Sequence, residues 1–292
     1  MLTGRITAAF GRHYEVTLPD GRVINGIPRG KKSPYACGDG VELGPLHDSE
    51  AQILAHVPRT SLLYRSDQWK QKLIAANATQ VVLVCATEPA FSDALISRAL
   101  VAARHERMRA LIVLNKVDLG ANLATGRAQL APYATLGIPV IELCAHADIS
   151  ALLPELADQI SVLMGQSGMG KSTLTNTLVP DAGAATREIS TALDSGKHTT
   201  THARLYDLPG GGHLIDSPGL QEFGLAHLSR GEIELGFAEF APFLNHCRFR
   251  DCRHENEPGC AVKDAVAAGT IDPRRLEHFV AIAGEGDRAR SF

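Results

Sequence analysis

Apolar and polar positions alternate in short runs at the start of the chain. They give way to long apolar runs separated by helical patterns, and then to a polar segment rich in cysteine and histidine. In the first stretch, period-two runs recur at residues 5–8, 13–18, 22–27, 41–43 and 52–57, with turn signals at Pro19-Asp20-Gly21 and Gly38-Asp39-Gly40. Five such strands predict a small all-β barrel, and an OB-like fold is the commonest five-stranded choice. From Gln80 the apolar runs become continuous, at residues 81–86 and 110–114, on either side of a helical pattern over 92–105. That alternation predicts a parallel sheet with crossover helices, whose ligands sit at the carboxyl ends of the strands. Further strands are expected at 139–143, 160–164, 202–208 and 213–215, and helices at 233–244 and 273–282. The chain therefore reads as multidomain: a barrel over 1–65, an α/β domain over 66–226 and a small helical domain over 227–292.

Composition adds modest limits. With 292 residues, 45% of them hydrophobic, the chain can bury a sizeable core, and a formal net charge of -3 excludes a surface coated throughout for nucleic acid. Local clusters such as Arg29-Gly30-Lys31-Lys32 can still meet phosphate, although a solvated basic loop explains that stretch equally well. The first residues lack the apolar core of a signal peptide, no window approaches a membrane span, and a cytoplasmic protein is expected. Three of the six cysteines, Cys37, Cys85 and Cys144, are scattered; the others cluster with histidine, which in a reducing compartment points to metal.

The strongest chemistry lies at Gly165-Gln166-Ser167-Gly168-Met169-Gly170-Lys171-Ser172, followed by Thr173, with an apolar strand before it and a helical pattern after it. Glycines there let successive backbone N–H groups face a triphosphate, and the helix adds the positive end of its dipole. Lys171 can then reach the β- and γ-phosphates while the Ser172 hydroxyl ligates magnesium. At another strand end stands Asn115-Lys116-Val117-Asp118. A carboxylate at Asp118 pairs with the two donors that guanine, unlike adenine, presents together, so the expected nucleotides are GTP and GDP. The stem of Lys116 can cover the base, and Asn115 can hold the loop. The next strand ends at Cys144-Ala145, where a backbone N–H from Ala145 can approach guanine O6 and Cys144 reads as packing.

Two more segments complete the catalytic reading. Gly196-Lys197-His198-Thr199-Thr200-Thr201 is polar and aperiodic, as expected of a loop ordered around a γ-phosphate; Thr200 is favoured as the magnesium ligand, with Thr199 and Thr201 as rivals. Asp216-Ser217-Pro218-Gly219-Leu220 places Asp216 near magnesium and the Gly219 amide at the γ-phosphate. Leu220 occupies the position where many GTPases carry a water-orienting glutamine, so His198 becomes the polar candidate for that task. Finally, Cys247, Cys252, His254 and Cys260 offer three thiolates and an imidazole, enough for one closed structural zinc site, with His246 as a rival ligand. Arg248, Arg250 and Arg253 lie among them and can meet RNA phosphate.

With barrel, reordered nucleotide motifs and cysteine-histidine cluster in this sequence, the chain resembles the circularly permuted, ribosome small-subunit-dependent GTPases of bacteria (GTPase A family) over nearly its full length. The resemblance implies a late factor in small-subunit assembly that binds rRNA, with GTP hydrolysis stimulated by the subunit. It also implies that Leu220 replaces the catalytic glutamine and that His198 serves catalysis alongside Lys171 and Thr200. The cofactors expected are GTP/GDP, Mg2+ and one Zn2+; the partner is the small ribosomal subunit and its rRNA, with no membrane, and the chain is expected to be a monomer. A nucleotide-gated RNA-binding module in which hydrolysis is incidental is the rival reading, kept open by Leu220.

Overall fold

The computed structural model describes residues 2–11, 13–30, 34–66, 71–180, 182, 203–217 and 224–290. Five antiparallel or mixed strands, β1 (Leu2–Phe10), β2 (His13–Thr17), β3 (Val23–Pro28), β4 (Gly40–Leu43) and β5 (Glu50–His56), run in the order β1-β2-β3-β5-β4. Pairing of β1 with β4, from Leu2↔Leu43 to Arg5↔Gly40, closes them into a barrel. Alternation sets which side is inside: Ile6, Val16, Ile24, Val41 and Ile53 are buried in its core. All five strands fall where the period-two runs predict them.

A hairpin absent from the sequence reading follows, β6 (Leu62–Ser66) with β7 (Gln71–Ala76), so the boundary drawn at 65/66 falls inside β6. Its anchors are long-range. The Leu62 N–H donates to the Glu106 carboxylate at 2.8 Å, and the Tyr64 ring lies 4.1 Å from that of His227. Burial pushes His227 down to about 4, so it packs as a neutral ring.

Then come β8 (Gln80–Ala86), α1 (Asp93–His105), β9 (Arg109–Asn115), α2 (Leu123–Thr135), β10 (Val140–Glu142), α3 (Leu153–Leu156), β11 (Ile160–Met164), α4 (Lys171–Leu178), β12 (Ala203–Asp207) and β13 (His213–Asp216). The strands lie in the order β10-β9-β8-β11-β13-β12, parallel except for β12. Every residue of β8 is buried, as a strand covered on both faces requires. The antiparallel β12 pairs in turn with β1 of the barrel, so barrel and α/β sheet form one eleven-stranded ladder.

The C-terminal segment holds α5 (Arg230–Gly236), α6 (Ala261–Ala267) and α7 (Pro273–Arg290). Ser229 and Glu232 cap α5 reciprocally. The helix expected over 233–244 is shorter: Phe237 leaves the helical region at φ -91°, ψ 88°, and a short 3-10 turn over Ala238–Phe240 follows. That break turns Phe237 and Phe240 together onto Phe279 of α7, in a fully buried aromatic cluster. Gly236 allows the approach to α1, since a Cβ there would sit 2.8 Å from the Val101 methyls. Helix α7 outruns its expected end at 282 and ties the segment to α1. The buried Arg275 donates to Glu239 at 2.5 Å and to the Ser97 hydroxyl at 2.6 Å, with Phe237 beneath its guanidinium.

Candidate nucleotide site and metal cluster

Strands β8, β9 and β11 are parallel neighbours, so the loops leaving their carboxyl ends open on one edge of the sheet. From β11 the chain enters Gly165–Gly170, and α4 begins at Lys171. Two of these glycines are dictated by close approach. At Gly165, φ is 149° and a Cβ would stand 2.2 Å from the Val84 carbonyl oxygen. At Gly170, φ is 94° and a Cβ would stand 2.2 Å from Asn115 Nδ2. Both contacts forbid any side chain.

That second contact reveals the organising residue. Asn115, only 2% exposed at the end of β9, donates from Nδ2 to the Met169 carbonyl at 2.9 Å and accepts at Oδ1 from the Ala145 N–H at 3.0 Å. The Thr177 hydroxyl of α4 donates to the Ala145 carbonyl at 2.8 Å. One amide thus buckles together the phosphate loop, the Asn115–Asp118 turn and the Cys144-Ala145 turn, which are far apart in sequence. The Ala145 N–H, expected to face guanine O6, is already engaged by Asn115, so a base would share that donor. Cys144 holds the turn through its carbonyl, which accepts from the Ala147 and Asp148 N–H groups.

Beyond Asn115 the chain turns sharply. Lys116 sits at φ 62°, donating from Nζ to the Glu88 carbonyl at 2.8 Å, and Asp118 lies exposed in a 3-10 turn with no ion pair among the described residues. An exposed, uncommitted carboxylate beside a fixed lysine stem suits recognition of a base edge. On the phosphate side, Lys171 donates from Nζ to the carbonyls of Gly165 and Gln166, both at 2.7 Å. Gln166 in turn accepts the Ser92 N–H at 2.6 Å. Met169 is buried beneath the loop, while Ser167, Gly168 and Ser172 are exposed.

Burial depresses Lys171, opposed by the charge of Asp216, and raises Asp216, opposed by the charge of Lys171. Each ion is partly desolvated and only partly compensated by the other. Phosphate beside Lys171 and a cation beside Asp216 would relieve both costs, so the residues present fit a nucleotide carrying magnesium. His198, Thr199, Thr200, Thr201, Gly219 and Leu220 lie outside the described residues, as do Lys31 and Lys32.

A second constellation lies against α5 and α7. The ligand atoms of Cys247, Cys252, His254 and Cys260 all fall within 4.8 Å of one another. His254 Nδ1 is 3.7 Å from Cys247 Sγ and 3.2 Å from Cys260 Sγ, and the two sulfurs are 4.0 Å apart. These separations match the edges of a tetrahedron with about 2.3 Å metal–sulfur bonds. His246, the rival ligand, is exposed and outside the cluster. Glu234 of α5 bonds His254 Nε2 at 2.6 Å, which directs Nδ1 at the thiols, as carboxylates do behind metal-bound histidines. Burial, first, and the neighbouring thiols raise Cys252 to about 12, and burial raises Cys260, so without a cation these thiols stay protonated. No sequence signal marks Glu234, Glu88 or Thr177, because each acts through a partner distant along the chain. Arg253 pairs with Asp287 and Glu255 while its side chain stays 51% exposed.

Comparison with known proteins finds relatives over nearly the full length of the chain. A family model described as RsgA GTPase matches residues 56–226. Proteins named small ribosomal subunit biogenesis GTPase RsgA are 52% identical in Burkholderia pseudomallei, over 98% of this chain and 92% of the relative. They are also 52% identical in Bordetella pertussis, over 99% and 98%. Among solved structures, that of YjeQ from Thermotoga maritima superposes with a TM-score of 0.75 at 29% identity, covering 98% of both chains. The structure titled YloQ, a circularly permuted GTPase, gives 0.72 at 27% identity, covering 99% of this chain and 96% of that one.

Proposed function

The chain belongs to the RsgA GTPase family, and from that premise we propose that it hydrolyses GTP during late maturation of the small ribosomal subunit, with turnover stimulated by the subunit. The observation that carries this reading is the Asn115 buckle, which makes the phosphate loop and the Asp118 turn halves of one site. In it, Gly165 to Thr173 wrap the phosphates, Lys171 leaves the Gly165 and Gln166 carbonyls for phosphate oxygens, and Asp118 selects guanine with Lys116 over the base. Ser172 and Asp216, with Thr200, hold magnesium, whose charge offsets that developing on the phosphates. His198 orients the attacking water in place of a glutamine, and the Gly219 amide reports the γ-phosphate.

The barrel is read as OB-type and, with Arg29 and the neighbouring lysines, as an rRNA-binding unit ahead of the GTPase unit. One zinc ion in the Cys247, Cys252, His254 and Cys260 cluster stabilises the third unit beside its buried aromatic cluster. No helix among the described residues is long and apolar enough to cross a membrane, and the reading is of a cytoplasmic monomer that meets the subunit. The test is phosphate release from GTP with and without purified small subunits. Stimulation in the wild type and its loss in Ser172→Ala support the proposal. Because Leu220 stands where a glutamine would, GTP-dependent subunit binding with an unchanged rate would favour the nucleotide-gated RNA-binding module.

A further inference from the structure

The phenylalanines of the C-terminal segment differ widely in exposure, with Phe243 half-buried. Phe237, Phe240 and Phe279 are at most 1% exposed, whereas Phe249 is 42% exposed, on the turn between two metal-cluster cysteines, Cys247 and Cys252. A single exposed apolar side chain is ordinary; this one is held in place and flanked by charge. The Arg248 N–H donates to the Gly259 carbonyl at 2.9 Å and the Cys252 N–H to the Phe249 carbonyl at 3.4 Å, closing the turn. At Gly259, φ is 70° and a Cβ would sit 3.1 Å from Arg248 Cβ, so the segment beside the turn packs tightly against it.

Charge around the ring is sorted. Arg230 and Arg253 are bound to Asp287 and Glu255, but Arg248 and Arg250, on either side of Phe249, are exposed and make no ion pair among the described residues. The Arg248 guanidinium carbon lies 5.6 Å from the Phe249 ring centroid, and His246 is exposed nearby; Asp251 is the one acid in the turn. Arg248 lies over one face of a ring that is 42% exposed, so the other face can meet a base while the two guanidiniums, neither in an ion pair among the described residues, meet the phosphates on either side of it. A duplex hides its base faces by stacking, whereas an unpaired nucleotide offers one.

We propose that Phe249 is a stacking platform for one unpaired nucleobase of RNA, with Arg248 and Arg250 taking the adjoining phosphates. This deepens, and rests on, the reading that the chain engages the small subunit. The test uses full-length, zinc-loaded protein with a non-hydrolysable GTP analogue and purified small subunits, comparing wild type, Phe249→Ala, Phe249→Leu and Phe249→Trp. Zinc content and GTP affinity serve as folding controls.

The expected result is about 5- to 100-fold weaker subunit binding for the alanine and leucine variants, the usual range for a lost base–aromatic stack, with tryptophan close to wild type. Chemical probing of the rRNA should show one unpaired base protected by wild type and exposed with Phe249→Ala. Full binding by Phe249→Leu, or weakened binding with no base changing reactivity, would mean an apolar protein contact and overturn the proposal. Wild-type affinity in Phe249→Ala would also overturn it. Should the wild type ignore subunits, the proposed function falls by itself, and Phe249→Trp then decides the platform separately. Quenching of its added fluorescence by single-stranded but not duplex RNA supports stacking, and no quenching overturns it.

Discussion

Ala8 of β1 and Arg204 of β12 face each other as an antiparallel pair, and through them the barrel and the nucleotide-binding sheet become one ladder. Arg204 adds an ion pair to Glu15 of β2 at 2.6 Å, with both side chains about a quarter exposed. Because β12 would otherwise be an open sheet edge, the barrel covers it. It also pairs with β13, which carries Asp216, so the barrel is joined to the strand pair that ends at this carboxylate. The expected outcome is a single unfolding unit: amides of β1 and β12 should exchange with the same free energy under native conditions. Exchange of the barrel well before the sheet would contradict this.

Asn115→Ala leaves the Met169 carbonyl and the Ala145 N–H without partners in a buried place. Each unpaired group costs about 1–3 kcal/mol, so denaturant unfolding should show a loss of at least about 2 kcal/mol. Affinity for GTP and GDP should fall together, about tenfold or more, because the phosphate loop and base turn are no longer held in register. Titration with a fluorescent guanine nucleotide measures it. A fall confined to GTP would point instead to a γ-phosphate contact.

The pair Lys171 and Asp216 sets the pH limits of nucleotide binding. A carboxyl whose value is raised in the folded chain contributes stability below its unfolded value and loses that contribution as pH rises through the folded value, so ionised Asp216 is a cost at neutral pH. Lys171, lowered by burial, contributes above its unfolded value and loses that contribution as pH falls through the folded one; its charge is likewise a cost at neutral pH. Magnesium and phosphate offset both. Magnesium-dependent GTP affinity should therefore decline on acidification at a pH above the ordinary aspartate range near 3.8, and on alkalinisation below the ordinary lysine value of 10.5. Binding isotherms across pH check the two limbs, and Asp216→Asn should flatten the acid one.

Much of this was legible in the chain. Alternation marked all five barrel strands, and the glycines, Asn115 and Asp118 announced a nucleotide site because phosphate and guanine recognition tolerate few substitutes. The β1–β12 junction was not legible, since alternation says which face is buried but not which edges pair. Hairpin β6–β7 was hidden because it is fastened by Glu106 and His227, remote in sequence. The break at Phe237 leaves no mark in the sequence because residues 233–244 keep a helical apolar spacing while aromatic packing decides the backbone. Likewise, nothing local distinguishes Arg253, which pairs with Asp287, from Arg248 and Arg250, which make no ion pair among the described residues.

Metal removal should separate the units. One zinc per chain is expected by elemental analysis, lost in Cys260→Ser. Glu234→Ala should lower metal affinity about 10- to 100-fold by releasing the His254 ring. Chelation should loosen α5 and α7, measured by proteolysis, while GTP affinity stays near that of the loaded protein.

Guanine selection by the Asp118 turn, in the same site that Lys171 serves, is the claim on which the rest depends. Competition binding of GTP, ATP and xanthosine triphosphate to wild type and Asp118→Asn tests it most directly. Wild type should prefer GTP over ATP by about 1,000-fold or more, because a site built for specific donors leaves its own group unpaired with the wrong base. Asp118→Asn should lose GTP and gain xanthosine triphosphate, whose base edge complements an amide. Equal binding of ATP by wild type, or unchanged GTP affinity in Asp118→Asn, would contradict it.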